Sequence, residues 1–288
     1  MYAGSLEADL IAFCRDVGVT GGDQTDGRPD LLAASVSTPL LNMFRLHRLW
    51  LIFRQPRAQY FGTDAGTNEK GESLRNSMGD SRTWDNIYSN NCYNGFSHFD
   101  WFFGYVHLKD FLFSLINEIA PDKHTGSPIR VLDLGCGTSD VGKGLFRDSQ
   151  LPLLISCIDN SAPAILAMRK KLTTETPIVP AHQDSHLEYL ESDVTHLHSF
   201  LSGSVSLVLD KGTSDSLLRL GKEQAQKMVL EALRVLKKGG KLVQFTDEDP
   251  DARLPFLENL GAQPNVTFHD LGINDRVTYY AYIVTRPS

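Results

Sequence analysis

From residue 130 onward the chain alternates short apolar runs with amphipathic stretches. Arg130 to Leu134 is apolar apart from Asp133, and the chain then turns on Gly135 and Gly137. Val141 and Leu145 follow at helical spacing. Leu153 to Ile158 reads as a second strand ending on Asp159, and Asn160-Ser161 with Pro163 reads as the start of a helix. Leu187 to Leu190 is a third strand, followed by Asp193 and Val194. Val205 to Leu209 is a fourth, followed by Asp210-Lys211-Gly212-Thr213. Ala225, Met228, Val229, Ala232, Leu233 and Leu236 form one helical stripe that Gly239-Gly240 is expected to terminate. Lys241 to Phe245 is a fifth strand, and Val266–Phe268 and Val277–Val284 read as a closing antiparallel pair.

Strands alternating with helices argue an α/β fold, a parallel sheet wrapped by helices. Ahead of it, Leu108, Phe111, Leu112, Leu115 and Ile116 mark an amphipathic helix, and aromatic residues crowd the stretch 84–105. That stretch serves either as a lid packed on the domain edge or as a stacking surface for a planar ligand. Residues 64–80 have the glycine, serine and charge content of a linker, and residues 1–42 show no core pattern beyond a short helix near Leu10, Ile11 and Phe13.

Between them, residues 43–63 carry arginines among large apolar residues and no acid. That is the pattern of a mitochondrial transit peptide, with an ordinary amphipathic surface helix as the alternative. A transit peptide at about 43–65 implies translation from Met43. The expected organisation is an N-terminal extension over 1–80 and a catalytic domain over 81–288.

Composition narrows the partners. A net charge of -7 argues against a broad nucleic-acid surface and fits a basic partner better. No apolar run approaches the roughly 18–20 residues that span a bilayer. Cys14, Cys92, Cys136 and Cys157 form no C-x-x-C pair, so neither zinc nor a disulfide framework is expected. His182, His186, His196 and His198 read as an exposed loop cluster rather than a metal site, because Gln183 stands where a zincin needs glutamate.

The glycine turn invites a ligand. A dinucleotide fingerprint needs a third glycine where Asp140 stands, and that acid opposes a pyrophosphate. A tight turn with no ligand remains open. In an open sheet, ligands bind beyond the C-terminal strand ends. There Asp159 can accept two ribose hydroxyls, and Asp193 with Val194 suits an adenine. Gly135 and Gly137 would let the backbone approach a small chain, and Asp210 with Lys211 would border the reacting group.

The run Asp133-Leu134-Gly135-Cys136-Gly137-Thr138 resembles motif I of class I S-adenosylmethionine-dependent methyltransferases. Trp84-Asp85 with Tyr88, Phe99-Asp100-Trp101-Phe102 and Asp210-Lys211-Gly212-Thr213 resemble the seven-strand lysine methyltransferases of that class. The resemblance covers about residue 84 to the end. It implies a Rossmann-like seven-stranded sheet flanked by helices, with S-adenosylmethionine as cofactor and S-adenosylhomocysteine as product.

Cofactor contacts implied by the resemblance are Trp84, Tyr88, Phe99, Gly135, Asp159, Asn160, Asp193, Val194 and Lys211. Phe99 stands where some relatives have tyrosine. Phe99–Tyr105, Leu209–Thr213 and the run QFTDEDPDARLP at 244–255 most resemble the mitochondrial branch acting on citrate synthase. That implies citrate synthase as protein partner, a matrix location, and neither nucleic acid nor membrane as partner. Asp210 is the candidate catalytic group, as a base or as a positioner of the amine. The acidic run Asp247–Asp251 either draws in a basic substrate or is a solvated loop. A small-molecule methyltransferase and a silent cofactor-binding module are the competing readings.

Overall fold

The computed structural model describes residues 77–93, 100–120, 127–174, 178–260, 265–274 and 277–287. All belong to one compact unit, Pro56–Ser288. The transit-peptide expectation and most of the extension lie outside the described residues.

Two helices precede the sheet, α1 (Ser81–Tyr93) and α2 (Tyr105–Ile119). Then come β1 (Ile129–Leu134), α3 (Val141–Asp148), β2 (Leu153–Asp159), α4 (Ala162–Thr174), β3 (His186–Glu191) and β4 (Val205–Lys211). The chain continues through α5 (Thr213–Leu220), α6 (Lys222–Val235), β5 (Leu236–Thr246), α7 (Pro250–Glu258), β6 (Asn265–Asn274) and β7 (Val277–Thr285).

The seven strands form one sheet in the order β3-β2-β1-β4-β5-β7-β6. β1 to β5 run parallel, and β7 is antiparallel to β5. β6 pairs antiparallel with β7, as the closing-pair pattern predicts. Strand order reverses at β1, between β2 and β4, which opens a crevice at the C-terminal ends.

A core lies on each face. Leu108, Leu112, Leu115 and Ile116 of α2 are buried on one face with Val131, Leu207 and Val243. Met228, Val229 and Ala232 of α6 are buried on the other with Leu132, Val208 and Leu242. Each fully buried leucine contributes about 1.5–3 kcal/mol of apolar transfer.

The helical stripe ends earlier than expected. α6 stops at Val235, and Leu236 already begins β5, so Gly239 and Gly240 fall inside an irregular first part of that strand. Gly239 has φ +72°, and the β4–β5 register shifts between Val205 and Leu207. The glycines therefore accommodate a bulge instead of capping the helix.

Candidate active site

The crevice is built on the turn after β1. Gly135 and Gly137 have φ of +62° and +50°. A Cβ on Gly135 would lie 2.1 Å from Thr213 Oγ1, and one on Gly137 would lie 2.3 Å from the Tyr88 hydroxyl oxygen. Both positions therefore demand glycine, and both leave bare backbone facing a narrow space. Asp140, where the dinucleotide fingerprint has glycine, accepts the Tyr105 amide at 2.8 Å and fixes the start of α2.

Asp159 ends β2, and its carboxylate joins two segments. Oδ2 accepts the Gly137 amide at 2.8 Å, and Oδ1 accepts the Ser161 amide at 2.8 Å. Burial pushes the Asp159 carboxyl above the usual carboxylate range, against the Ser161, Gly137 and Asn160 amides.

The cleft encloses about 860 Å³ of space open to solvent. Of the expected residues, Asp159, Asn160 and Val194 line the end beneath β2 and β3, and Gly135, Gly137 and Lys211 line the other end. Trp84 and Tyr88 form an aromatic wall, their rings stacked at 6.0 Å and 23°. Phe99 lies outside the described residues.

Two expected residues stand elsewhere. Asp193 does not line the cleft, because its carboxylate is used within its own loop. Oδ1 accepts the Thr195 amide and hydroxyl at 2.8 Å each, and Oδ2 lies 3.0 Å from His196 Nδ1. Partial burial opposes its ionisation, but these bonds outweigh it and hold its pKa below the ordinary value. Asp193 thus shapes the turn that carries Val194 into the cleft.

Asp210 does not line the cleft either. Successive strand residues face opposite ways, so the neighbour of Lys211 is directed behind the wall. Asp210 is fully buried. It accepts the Thr213 and Ser214 amides at 2.9 and 3.1 Å, and the Gln244 side-chain amide at 2.7 Å. Burial pushes its pKa up to about 6. It therefore anchors the first turn of α5 and reaches the cleft through Thr213, a lining residue whose amide it holds.

The acidic run after β5 is tied down at two points. Asp249 caps α7 by accepting the Asp251 amide at 3.0 Å. Glu248 pairs at 2.6 Å with Arg253, which is fully buried and also pairs with Asp215.

Asp100, Trp101 and Asp133 also line the cleft, three polar residues that the sequence motifs contain but do not mark as ligand contacts. Burial raises the pKa of Asp133 to about 7, with Lys211 opposing the rise and Asp100, Asp210 and Asp159 adding to it. Asp100 pairs with Lys211, and burial still lifts its carboxyl above the ordinary range. Among the described lining residues, Asp100, Asp133 and Asp159 face a single cation, Lys211. This charge suits a ligand with net positive charge, one that also has a planar base and two vicinal hydroxyls. S-adenosylmethionine, a nucleoside bearing a sulfonium and an amino-acid end, fits each of these features.

A mixed seven-stranded sheet of this order, with a glycine turn at the switch point and a carboxylate ending β2, defines a class I methyltransferase that uses S-adenosylmethionine. A family model described as a methyltransferase domain matches residues 132–244. The human mitochondrial citrate synthase-lysine N-methyltransferase is 38% identical over 211 residues, 72% of this chain and 86% of that protein. Its counterpart from Danio rerio is 36% identical, over 70% of this chain and 82% of that protein. A solved SAM-dependent methyltransferase from Methanosarcina mazei is 15% identical with a TM-score of 0.46, covering 60% of this chain and 97% of that one. The chain belongs to the same family as these lysine methyltransferases, and its cofactor is S-adenosylmethionine.

Proposed function

We propose that this protein transfers methyl groups from S-adenosylmethionine to a lysine side chain of citrate synthase in the mitochondrial matrix. The carrying observation is 38% identity across 86% of the human protein of that name. The cleft supports it, because buried carboxylates and aromatic walls suit both a sulfonium donor and an amine acceptor.

The cofactor supplies an electrophilic methyl on sulfur. An amine held in line with that methyl would take it, with S-adenosylhomocysteine as the leaving group and the excess proton passing to solvent. The protein's share is placement. Gly135 and Gly137 bring backbone against the methionine chain, Asp159 receives the ribose hydroxyls, and Val194 and Asn160 border the adenine. Trp84 and Tyr88 exclude water along one wall. A free lysine has a pKa near ~10.4 and attacks only when neutral, so a dry aromatic entrance that disfavours the ammonium assists the step. Asp210 acts as a positioning residue, holding Thr213 and the end of β4.

Incubating the protein and labelled S-adenosylmethionine with matrix extract tests the reading. The expected result is one labelled band the size of citrate synthase. Label confined to small molecules would point to a different acceptor, and absence of transfer would defeat the proposal.

A further inference from the structure

Lys211 ties the segment 100–103 to the end of β4. Lys211 Nζ donates to Asp100 Oδ1, and also to the Trp101 carbonyl at 2.7 Å. Both ends of the ion pair are buried, with side-chain exposures of 8% and 7%. The same Trp101 carbonyl accepts the Phe103 amide at 2.8 Å, and Phe102 between them has φ +67°. A bulky residue in the left-handed region persists only where its surroundings over-determine it. Trp101 also fills the space beside Gly212, where a Cβ would come within 2.4 Å of its ring.

An ammonium has three hydrogens. Two are taken by Asp100 and Trp101, which leaves the third for a ligand. Lys211 is the single cationic side chain among the described residues lining the cleft. The cofactor's amino-acid end carries a carboxylate that a cation stabilises. Lys211 also feels Asp133, whose carboxyl it stabilises in the charged form. Two carboxylates therefore compete for one ammonium, and the one that holds it decides where its free hydrogen points.

We propose that Asp100 is the positioning residue that holds the Lys211 ammonium where it receives the α-carboxylate of S-adenosylmethionine. The inference rests on the cofactor assignment above and on Lys211 as a cofactor contact. With Asp100 neutralised, Lys211 turns toward Asp133, and the cleft loses its carboxylate acceptor while its nucleoside end stays intact.

The test compares two ligands that share the nucleoside and differ in the amino-acid end. Purified full-length protein is titrated with S-adenosylhomocysteine and with methylthioadenosine. Asp100→Asn is expected to weaken S-adenosylhomocysteine at least about tenfold and methylthioadenosine less than about twofold. Lys211→Met should show the same selectivity, and the double variant should bind no worse than Lys211→Met alone. Retained methylthioadenosine binding shows that each variant is folded. Equal losses on both ligands would reduce the pair to a structural brace and overturn the proposal. Additive losses in the double variant, or unchanged binding by Asp100→Asn, would overturn it as well. Wild-type protein that binds neither S-adenosylmethionine nor S-adenosylhomocysteine would instead defeat the cofactor reading.

Discussion

Asp159 Oδ2 accepts the Gly137 amide across 2.8 Å, tying the end of β2 to the turn that follows β1. One carboxylate therefore sets the shape of the glycine turn and faces the cleft. Asp159→Ala removes both the Gly137 and Ser161 bonds, leaving buried amides unpaired at about 1–3 kcal/mol each. Affinity for S-adenosylmethionine is expected to fall more than about tenfold, with a lowered melting temperature. Calorimetric titration and a thermal melt check both. Unchanged affinity would remove Asp159 from the site.

Gly137→Ala tests the close approach of backbone and aromatic wall. The new Cβ meets the Tyr88 hydroxyl, and alanine at φ +50° costs about 1–2 kcal/mol. Adding Tyr88→Phe removes the hydroxyl but not the dihedral strain. The double variant should recover part of the lost cofactor affinity, never all of it. Full loss in both would show that the clash is not the cause, and full recovery would show that the dihedral strain contributes nothing.

Arg253 is the buried cation between Asp215 and Glu248. Arg253→Met leaves those acids without a counter-ion, and breaking a buried pair on one side costs about 3–5 kcal/mol. Chemical denaturation should show that loss. A loss below about 1 kcal/mol would mean that the network is solvated like a surface pair.

Among the carboxyls held above the unfolded value of ~3.9, Asp133 stands at about 7, and Asp210 and the half-buried Asp247 at about 6. Burial is the leading cause for all three. Between those limits the folded chain binds more protons than the unfolded one. Their contribution to stability is therefore fully present below pH ~4 and is lost as pH rises through ~6–7. Among these, Asp133 lines the cleft and responds to a cationic ligand, so binding S-adenosylmethionine should release protons near pH ~6–7. Calorimetry in buffers of different ionisation enthalpy measures that release. Proton uptake on binding would contradict the placement of Asp133.

Much of the fold was legible because the pattern of β1 to β5 is simple. Buried parallel strands read as apolar runs, and their ends carried Asp159 and Lys211 in plain view. The positions of Asp193 and Asp210 were not legible. Sequence shows a carboxylate after a strand, but not whether its oxygens face the ligand or are used by nearby amides, as Thr195 and Thr213 use these. Asp100 was hidden for another reason. Its partner Lys211 lies 111 residues away, and no local pattern announces such a pair. The acidic run concealed its opposite, since Arg253 folds Glu248 and Asp215 around itself and leaves a helix start where a loop was expected.

Methyl transfer to a lysine of citrate synthase is checked by incubating purified citrate synthase with this protein and S-adenosylmethionine and mapping the product by peptide mass spectrometry. Methylation is expected on lysine alone, and strongly reduced with the Asp159→Ala variant. Citrate synthase left unmodified by protein that demonstrably binds the cofactor would contradict the proposed transfer.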